Sequence, residues 1–286
     1  MSGNKVMQLP SIFIEDYVRN ALKEDFGHGL DITSSSVISP HKEAKGVLRA
    51  REEGVLAGLV LALSTFHHVD PDIEFEIFAQ DGEIVGPKQG IAMVSGSAQS
   101  LLMAERVALN FLTHMSGVAS LTRRYVLAVQ DTKARICDTR KTFPGLRAIQ
   151  KYAVRAGGGF NHRFGLDDAI LIKDNHIAAA GGITAVLDRA HENTGHMVRV
   201  QIEVDTLAQL EEVLKHGKAD AVLLDNFSLE DMKRGVEMVN GAMVVEASGN
   251  VNLTTVTGIA QTGVDYISVG GLTHSATLLD IGFDFD

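Results

Sequence analysis

Five basic side chains in the second half of the chain are spaced so that they could bind an anion together. Arg140 and Lys141 lie shortly after a short apolar run, Lys173 follows the next such run, and His162 and Arg163 precede that second run. Two like charges repel by about 4 kcal/mol when they are close and the effective dielectric is near 20. A cluster of cations is therefore stable when an anion binds it, because Arg grips carboxylate or phosphate through two parallel hydrogen bonds and Lys adds a point charge. The alternative is that the five basic side chains do not lie together and are solvated surface charges.

Two acidic residues close later apolar runs. Glu203 and Asp225 end two successive runs, and Asp205 comes just before a predicted helix. Carboxylates opposite a cationic pocket suit a Mg²⁺ ion that carries a polyphosphate. They could also stabilise positive charge developing on a sugar carbon. The residues leave a third interpretation open, in which these acids pair with neighbouring cations or cap helices, as Asp205 is placed to do.

Glycine-rich segments end the last two runs. They are Ser248-Gly249-Asn250 and Ser268-Val269-Gly270-Gly271. Glycine lets the backbone approach a ligand closely, and N–H groups at the start of a helix bind phosphate. Loops after the late strands of a barrel often serve this purpose. The alternative is that both segments are ordinary turns between a strand and a helix.

The elements that must position these residues are regularly spaced along the chain. Six short apolar runs, each closed by polar residues or Gly, occupy residues 134–137, 169–172, 198–202, 221–224, 243–245 and 266–267. Their spacing suits one buried strand and one returning helix per step. The strand ends of such βα repeats share one rim, where the chemistry lies. Six strands are fewer than the eight of a full barrel, so the sequence predicts a short or incomplete α/β barrel.

The first half of the chain has a different pattern. We predict a helix over 11–25 capped by Ser11, then short strands at 46–50, 73–78 and 91–95, and a long helix over 98–130 broken near Gly117. This alternation is typical of a small α+β domain. The predicted domains are an N-terminal α+β domain over 1–115 and a barrel over 116–272. The tail, 273–286, is predicted to pack back on the first domain.

Composition limits the class of protein. The 286-residue chain has a net charge of −10, which argues against nucleic acid as a partner. No apolar run reaches the length of a membrane span, and the start lacks the apolar stretch of a secretory signal. The single cysteine, Cys137, suits a reducing cytoplasm. A cationic pocket in an acidic protein indicates a small anionic ligand.

Several of these segments match one family in sequence and in order. The chain resembles the quinolinate phosphoribosyltransferases, also called nicotinate-nucleotide pyrophosphorylases (carboxylating). The resemblance covers nearly the whole chain and rests on residues 21–25, 105–112, 138–142, 144–147, 162–166, 171–176, 203–205, 246–249 and 280–282. It implies an N-terminal α+β sandwich and an incomplete C-terminal barrel. It also implies the reaction of quinolinate with phosphoribosyl pyrophosphate and Mg²⁺, which yields nicotinate mononucleotide, pyrophosphate and CO₂ in NAD biosynthesis.

The resemblance implies roles for individual residues. Quinolinate would be bound by Arg106, Thr139, Arg140, His162, Arg163 and Lys173. Phosphoribosyl pyrophosphate would be bound by Lys141, Asn175, Ser248, Gly249, Asn250, Ser268, Val269, Gly270, Gly271 and His274. Glu203 and Asp225 would hold Mg²⁺ and act in catalysis with Lys173. The family works as a dimer or an assembly of dimers, so Arg106 is expected to reach the site of the neighbouring subunit.

Three alternatives remain open at this stage. Lys173 could form a Schiff base in a barrel enzyme that acts on phosphorylated sugars, because crowding by cations depresses the pKa of a lysine. A close relative could act on another heterocyclic acid or in metal-cofactor metabolism. A non-catalytic phosphate or dinucleotide sensor is a third, although a sensor need not keep Glu203 and Asp225.

Overall fold

A computed structural model describes residues 9–29 and 31–285 of the chain. The chain divides into two compact units. The first contains the chain up to Arg123, the segment Ala148–Gly158 and the chain from Ser275 onward, and the second contains Arg124–Arg147 and Gly159–His274. The predicted domain limits of 1–115 and 116–272 stay predictions.

The helices and strands alternate along most of the chain. The helices are α1 (Ser11–Phe26), α2 (Ile32–Val37), α3 (Leu59–Val69), α4 (Ala98–Ala128), α5 (Arg147–Ala156), α6 (Asp174–Ala180), α7 (Ile183–Glu192), α8 (Leu207–His216), α9 (Leu229–Val239), α10 (Val256–Gln261) and α11 (Gly271–His274). The strands are β1 (Glu43–Ala50), β2 (Gly54–Val55), β3 (Glu74–Ile77), β4 (Ile84–Val85), β5 (Gly90–Ser97), β6 (Arg135–Cys137), β7 (Ile170–Ile172), β8 (Val200–Val204), β9 (Ala221–Asp225), β10 (Val244–Ser248), β11 (Tyr266–Ser268) and β12 (Ile281–Phe285). No helix of the described residues has the length and apolar character needed to cross a membrane.

The first unit is built on an antiparallel sheet in the order β12-β1-β5-β3. The last strand enters this sheet beside β1, with Phe283 opposite Leu48 in register. Phe66 of α3 packs against Phe283, with ring centroids 5.8 Å apart. Leu48, Phe66 and Leu101 are fully buried in the core under the sheet. Burial of aliphatic and aromatic side chains of this size stabilises each by about 1.5–3 kcal/mol, so the C-terminal residues contribute to the core of the first unit.

The second unit is a six-stranded parallel sheet in the order β6-β11-β10-β9-β8-β7. An additional parallel bridge joins Cys137 at the end of β6 to Phe160. All six predicted runs are strands of this sheet, which confirms the predicted fold class of an α+β domain followed by a short, incomplete α/β barrel. The strands are short and largely apolar because helices cover one face and the barrel interior lies on the other.

Two predictions about helix ends and breaks are wrong. Helix α4 runs unbroken from Ala98 to Ala128, through Gly117. A Cβ atom at Gly117 would lie 2.0 Å from the carbonyl oxygen of Thr277. Glycine is therefore needed there because another chain segment approaches the helix, and not because the helix ends. Ser11 is the first residue of α1 and makes no cap, since Pro10 holds the cap position and no side chain bonds the first turn.

Helix α8 has capping interactions at both ends. The Thr206 hydroxyl accepts from the Gln209 N–H at 3.2 Å, and Gly217 ends α8 with φ of 73°. The Gln209 side chain accepts from the Asp205 N–H at 2.7 Å rather than from the N–H of Thr206. The capping box therefore closes one residue earlier than a standard box, and the capping side chain is Thr206, not Asp205.

The close approach at Gly117 gives a stability test. A Gly→Ala change inside a helix ordinarily stabilises it by about 1 kcal/mol. Gly117→Ala should instead lower the stability by about 1–3 kcal/mol, because the new methyl group collides with the Thr277 carbonyl. Thermal or urea unfolding would measure the change.

A matched variant separates the collision from helix propensity. Gly258 lies in α10, and a Cβ atom there would lie 3.2 Å from the Cδ1 atom of Leu229, a half-exposed side chain that can move. Gly258→Ala should be neutral or slightly stabilising. Equal stability changes in the two variants would contradict a special role for the contact at Gly117.

Candidate active site

The carboxyl edge of the parallel sheet gathers the residues that the sequence indicates. Asp225 ends β9 and lies in register with Ser248 at the end of β10, while Ser268 ends β11 in register with Cys137 of β6. Lys173 directly follows β7 and Glu203 lies near the end of β8. Because all six strands run in the same direction, these positions share one rim.

A buried carboxylate organises the loop that carries His162 and Arg163. Asp138 follows β6 and is fully buried. One of its oxygens accepts from the His162 N–H at 2.9 Å, and the other accepts from the Asn161 side-chain amide at 2.6 Å. A buried carboxylate that holds two donors in this way fixes the backbone around it. The loop after Phe160 therefore has a defined conformation at the rim.

The two arginines of the site lie close enough to influence each other. Burial lowers the pKa of Arg163, the nearby charge of Arg140 lowers it further, and Asp168 opposes the shift. One guanidinium nitrogen of Arg163 donates to the Ala169 carbonyl at 2.8 Å. The Nε atom of Arg140 is buried and has no hydrogen-bond partner among the described residues. An unsatisfied donor on a cation beside a second cation is suited to an anionic ligand.

Lys173, after β7, makes an ion pair with Glu203 of the neighbouring strand β8. Its Nζ atom lies 2.5 Å from a carboxylate oxygen of Glu203, and the two side chains are 47% and 12% exposed. The lysine is half open to solvent, while the acid is held near the strand. Glu203 therefore keeps the Lys173 ammonium over the barrel mouth, where its remaining donors can contact a ligand.

The turn after β9 is tied to the turn after β10. Asn226 has φ of 55°, and its side-chain amide donates to the Asp225 carboxylate at 2.6 Å. The Asn226 N–H bonds the carbonyl of Ser248 at 3.1 Å, and its amide oxygen accepts from Asn250 at 3.3 Å. A Cβ atom at Gly249 would lie 2.2 Å from that same amide oxygen. Asn226 thus orients Asp225 and requires a glycine in the neighbouring turn.

In the turn after β11, Ser268 and Val269 bond within the barrel, whereas Gly270 lies close to two basic side chains. The Ser268 hydroxyl donates to the Ala247 carbonyl at 3.3 Å, and the Val269 N–H donates to the Cys137 carbonyl at 2.9 Å, so both donors are used within the barrel. A Cβ atom at Gly270 would lie 2.9 Å from Lys141 and 3.3 Å from the His274 Nε2 atom. Lys141, Gly270 and His274 therefore converge, as phosphate binding requires.

The remaining predicted residues lie around this rim or in the first unit. The Thr139 hydroxyl accepts from the Lys141 N–H at 3.0 Å and shapes the turn after β6. Asn175 is exposed in the first turn of α6. Arg106 is exposed on α4, in the first unit. The roles of all these residues in binding a ligand stay predictions.

Two interior residues without a predicted role contact His162. Gln201 of β8 and Glu246 of β10 are both buried. The Gln201 amide donates to Glu246 at 2.9 Å, and its oxygen lies 3.0 Å from His162 Nε2. One signal could have found them, because each is a polar residue inside an apolar strand, two positions before a predicted site residue. Side chains two apart on a strand share a face, which here is the barrel interior.

Fold and site together define the class of this protein. It is an α/β-barrel enzyme whose cationic pocket and glycine-rich rim suit an anionic, phosphate-bearing substrate. Comparison with known sequences then shows the family, and the chain belongs to the quinolinate phosphoribosyl transferases. The family's C-terminal domain matches residues 118–284 and its N-terminal domain matches residues 31–116. The resemblance seen in the sequence is thereby confirmed.

Individual relatives match along nearly their whole length. A Mycobacterium leprae protein named nicotinate-nucleotide pyrophosphorylase (carboxylating) is 43% identical over 274 residues, covering 94% of this chain and 96% of its own. A Bacillus subtilis protein with the same name, marked probable, is 41% identical over 261 residues, covering 91% and 89%. The solved structure of the nicotinate-nucleotide pyrophosphorylase from Francisella tularensis superposes with a TM-score of 0.94 at 37% identity, covering both chains completely.

The contact between Gly249 and Asn226 generates a test of the rim. Gly249 has φ of 90°, and a Cβ atom there would collide with the Asn226 amide that orients Asp225. Gly249→Ala should lower kcat/KM by about a hundredfold, because a displacement of about 1 Å at a reacting site has that cost. Steady-state kinetics on folded protein would measure it.

The matched variant is Gly241→Ala. Gly241 has φ of 77°, but a Cβ atom there meets nothing within 4 Å. It should cost about 1–2 kcal/mol of stability, as Gly249→Ala also does through its backbone angle, and leave the kinetics unchanged. Similar activity in the two variants would show that the collision with Asn226 does not matter.

Proposed function

We propose that the protein transfers the phosphoribosyl group of phosphoribosyl pyrophosphate to the ring nitrogen of quinolinate, with loss of CO₂, in NAD biosynthesis. The nitrogen–C1′ bond forms as the bond from C1′ to pyrophosphate breaks. The bond from ring carbon 2 to its carboxylate then breaks, CO₂ leaves, and a proton takes its place. The products are nicotinate mononucleotide, pyrophosphate and CO₂.

The observation that carries this proposal is the pair of arginines at the rim. Quinolinate bears two adjacent carboxylates, and each can take two parallel hydrogen bonds from a guanidinium group. Arg140 has a buried donor without a partner, and Arg163 lies beside it with its pKa lowered by burial and by the Arg140 charge. A dianion supplies the missing partner and relieves the repulsion between the two cations. A substrate with a single carboxylate satisfies the pair less well.

The reaction requires positioning and electrostatics more than a protein nucleophile. The ring nitrogen of quinolinate is itself the nucleophile. Positive charge develops on the ribose in the transition state, and the ring becomes a pyridinium in the product. The carboxylates of Glu203 and Asp225 lie at the rim, where they stabilise that charge. The pyridinium nitrogen then stabilises the electron pair left at carbon 2 when CO₂ departs. Lys173, held by Glu203, adds a cation for the substrate carboxylates.

The acids at the rim fit Mg²⁺ brought in with the substrate. Among the described residues, no group of three or more His, Cys, Asp or Glu side chains forms a metal cage. Mg²⁺ commonly uses one or two carboxylates together with water and substrate phosphates, and Glu203 and Asp225 lie on one face of adjacent strands. Mg²⁺ held there would neutralise charge on the departing pyrophosphate.

The arrangement of Lys173 disfavours the Schiff-base alternative. A lysine nucleophile needs desolvation or an unpaired cationic neighbour. Lys173 is half exposed and is paired with Glu203. Borohydride reduction in the presence of substrate would trap a covalent adduct on Lys173 if the alternative held.

The protein is proposed to act as a homo-oligomer in the cytoplasm. Arg106 is exposed on α4 in the first unit, next to Glu105, whose pKa is raised by burial. A cation at that position can complete the anion site of a neighbouring subunit. The single cysteine, Cys137, is buried, and a chain with one cysteine forms no internal disulfide, which suits a reducing compartment.

The direct test is an assay with purified protein, phosphoribosyl pyrophosphate and Mg²⁺. Quinolinate should yield nicotinate mononucleotide by absorbance and mass, whereas nicotinate should yield little, because it lacks the second carboxylate. Chelation of Mg²⁺ should stop turnover, and Asp225→Asn should raise the Mg²⁺ concentration needed. Absence of product from folded protein, or equal rates with nicotinate, would refute the proposed function.

Mixing experiments test the shared site. Arg106→Ala and Lys173→Ala should each abolish most activity, since removal of a charged partner of a bound ion typically costs about 2–5 kcal/mol. After subunit exchange, hybrids should regain activity at sites where both residues are intact. Arg19→Ala, which removes another exposed helical arginine of the first unit, should retain full activity. Lack of rescue after proven exchange would show that Arg106 acts within its own subunit or not at all.

A further inference from the structure

Both ring nitrogens of His162 are bound within the chain. Its Nδ1 atom accepts from the backbone N–H of Arg163 at 2.7 Å. A backbone N–H is always a donor, so Nδ1 carries no proton and Nε2 carries the ring proton. That Nε2 atom lies 3.0 Å from the Gln201 amide oxygen and 3.5 Å from a carboxylate oxygen of Glu246. The imidazole therefore links the barrel interior to the backbone of Arg163.

The hydrogen bonds along this link have only one consistent direction. Glu246, as a carboxylate, accepts and does not donate. The Gln201 amide must then present its NH₂ group to Glu246, at 2.9 Å, and its oxygen to His162. The oxygen needs a donor, so Nε2 must hold the proton, and Nδ1, which carries none, accepts from the Arg163 N–H. Because Glu246 can only accept, it makes Nδ1 of His162 the acceptor for the backbone N–H of Arg163.

We propose that Glu246 and Gln201 are positioning residues for quinolinate binding. They hold His162 in the tautomer that fixes the backbone of Arg163, and so aim the Arg163 guanidinium at the substrate carboxylate. The inference deepens the proposed function and rests on it for the identity of the ligand. Burial supports it, because Glu246 and Gln201 lie beneath the rim, and the second carboxylate oxygen of Glu246 has no hydrogen-bond partner among the described residues. A buried acid with a half-satisfied carboxylate is costly, which indicates a role other than stability.

The arrangement makes a specific prediction for an isosteric change. In Glu246→Gln, the new amide can donate to Gln201 or accept from it. The chain of hydrogen bonds is then no longer fixed from the Glu246 end, so the reversed arrangement, with a proton on Nδ1 of His162, becomes populated. Two donors would face each other at Nδ1 and the Arg163 N–H, and the loop would have to move. Volume is unchanged, so a cavity does not contribute to the effect.

The experiment joins a spectroscopic readout to kinetics. Nitrogen-15 chemical shifts of labelled histidine report the tautomer, and His162→Gln identifies the signal among the 11 histidines. Wild-type protein should show His162 protonated at Nε2. Glu246→Gln should shift the tautomer towards Nδ1 and raise the KM for quinolinate about tenfold, in the range typical of outer hydrogen-bond partners. The KM for phosphoribosyl pyrophosphate should change less.

Two further variants complete the test. Gln201→Leu removes the middle of the link at similar volume and should raise the quinolinate KM in the same way. Thr65→Val removes a buried hydroxyl in α3 of the first unit, which donates to the Leu61 carbonyl at 2.8 Å, and should alter stability alone. Thermal unfolding of each variant gives the stability scale against which kinetic effects are judged.

Each result supports or overturns the inference. A tautomer shift together with a selective rise in the quinolinate KM supports it. An unchanged tautomer in Glu246→Gln overturns the link, whatever the kinetics, and a tautomer shift without a change in KM overturns the connection to Arg163. Failure of wild-type protein to form product would refute the proposed function instead, while the tautomer measurements would still test the link from Glu246 to His162.

Discussion

Repulsion between like charges at the carboxyl edge of the parallel sheet is the constraint on which the site depends. Arg140 and Arg163 lie close enough that the charge of Arg140 and burial lower the pKa of Arg163. Side chains free to move would separate to escape this repulsion. The protein keeps them together because each is attached to backbone that other interactions hold. The free energy stored in this way becomes available when an anion with two carboxylates binds.

Acids beneath and beside the cations hold the site residues in place. Asp138 is fully buried and accepts from the backbone N–H of His162, so it holds the loop that carries Arg163. Glu203 pairs with Lys173, and Asp225 is oriented by Asn226. The acids therefore arrange the cations, while Arg140 retains a buried donor for a ligand. This division of charge agrees with a negative chain that binds a dianion.

Close backbone approach explains the glycines at the rim and elsewhere. Gly249 and Gly270 lie where a methyl group would meet the Asn226 amide or the Lys141 side chain. Gly117 lies where the Thr277 carbonyl meets α4. In each case the reason lies in a residue distant along the chain, so glycine that resembles a helix break or an ordinary turn in the sequence is in fact a packing requirement.

The sequence alone determined the parallel sheet, the rim and the family. Apolar runs closed by polar residues or glycine located all six barrel strands, because a short buried strand is apolar along its whole length. The residues after these runs include the charged residues of the site. Tertiary structure decided the rest. It decided that α4 continues through Gly117, that the Ser268 and Val269 donors are used within the barrel, and that Gln201 and Glu246 reach His162 from other strands. These outcomes depend on contacts between residues far apart in the chain, and local pattern carries no information about which distant atom fills a given space.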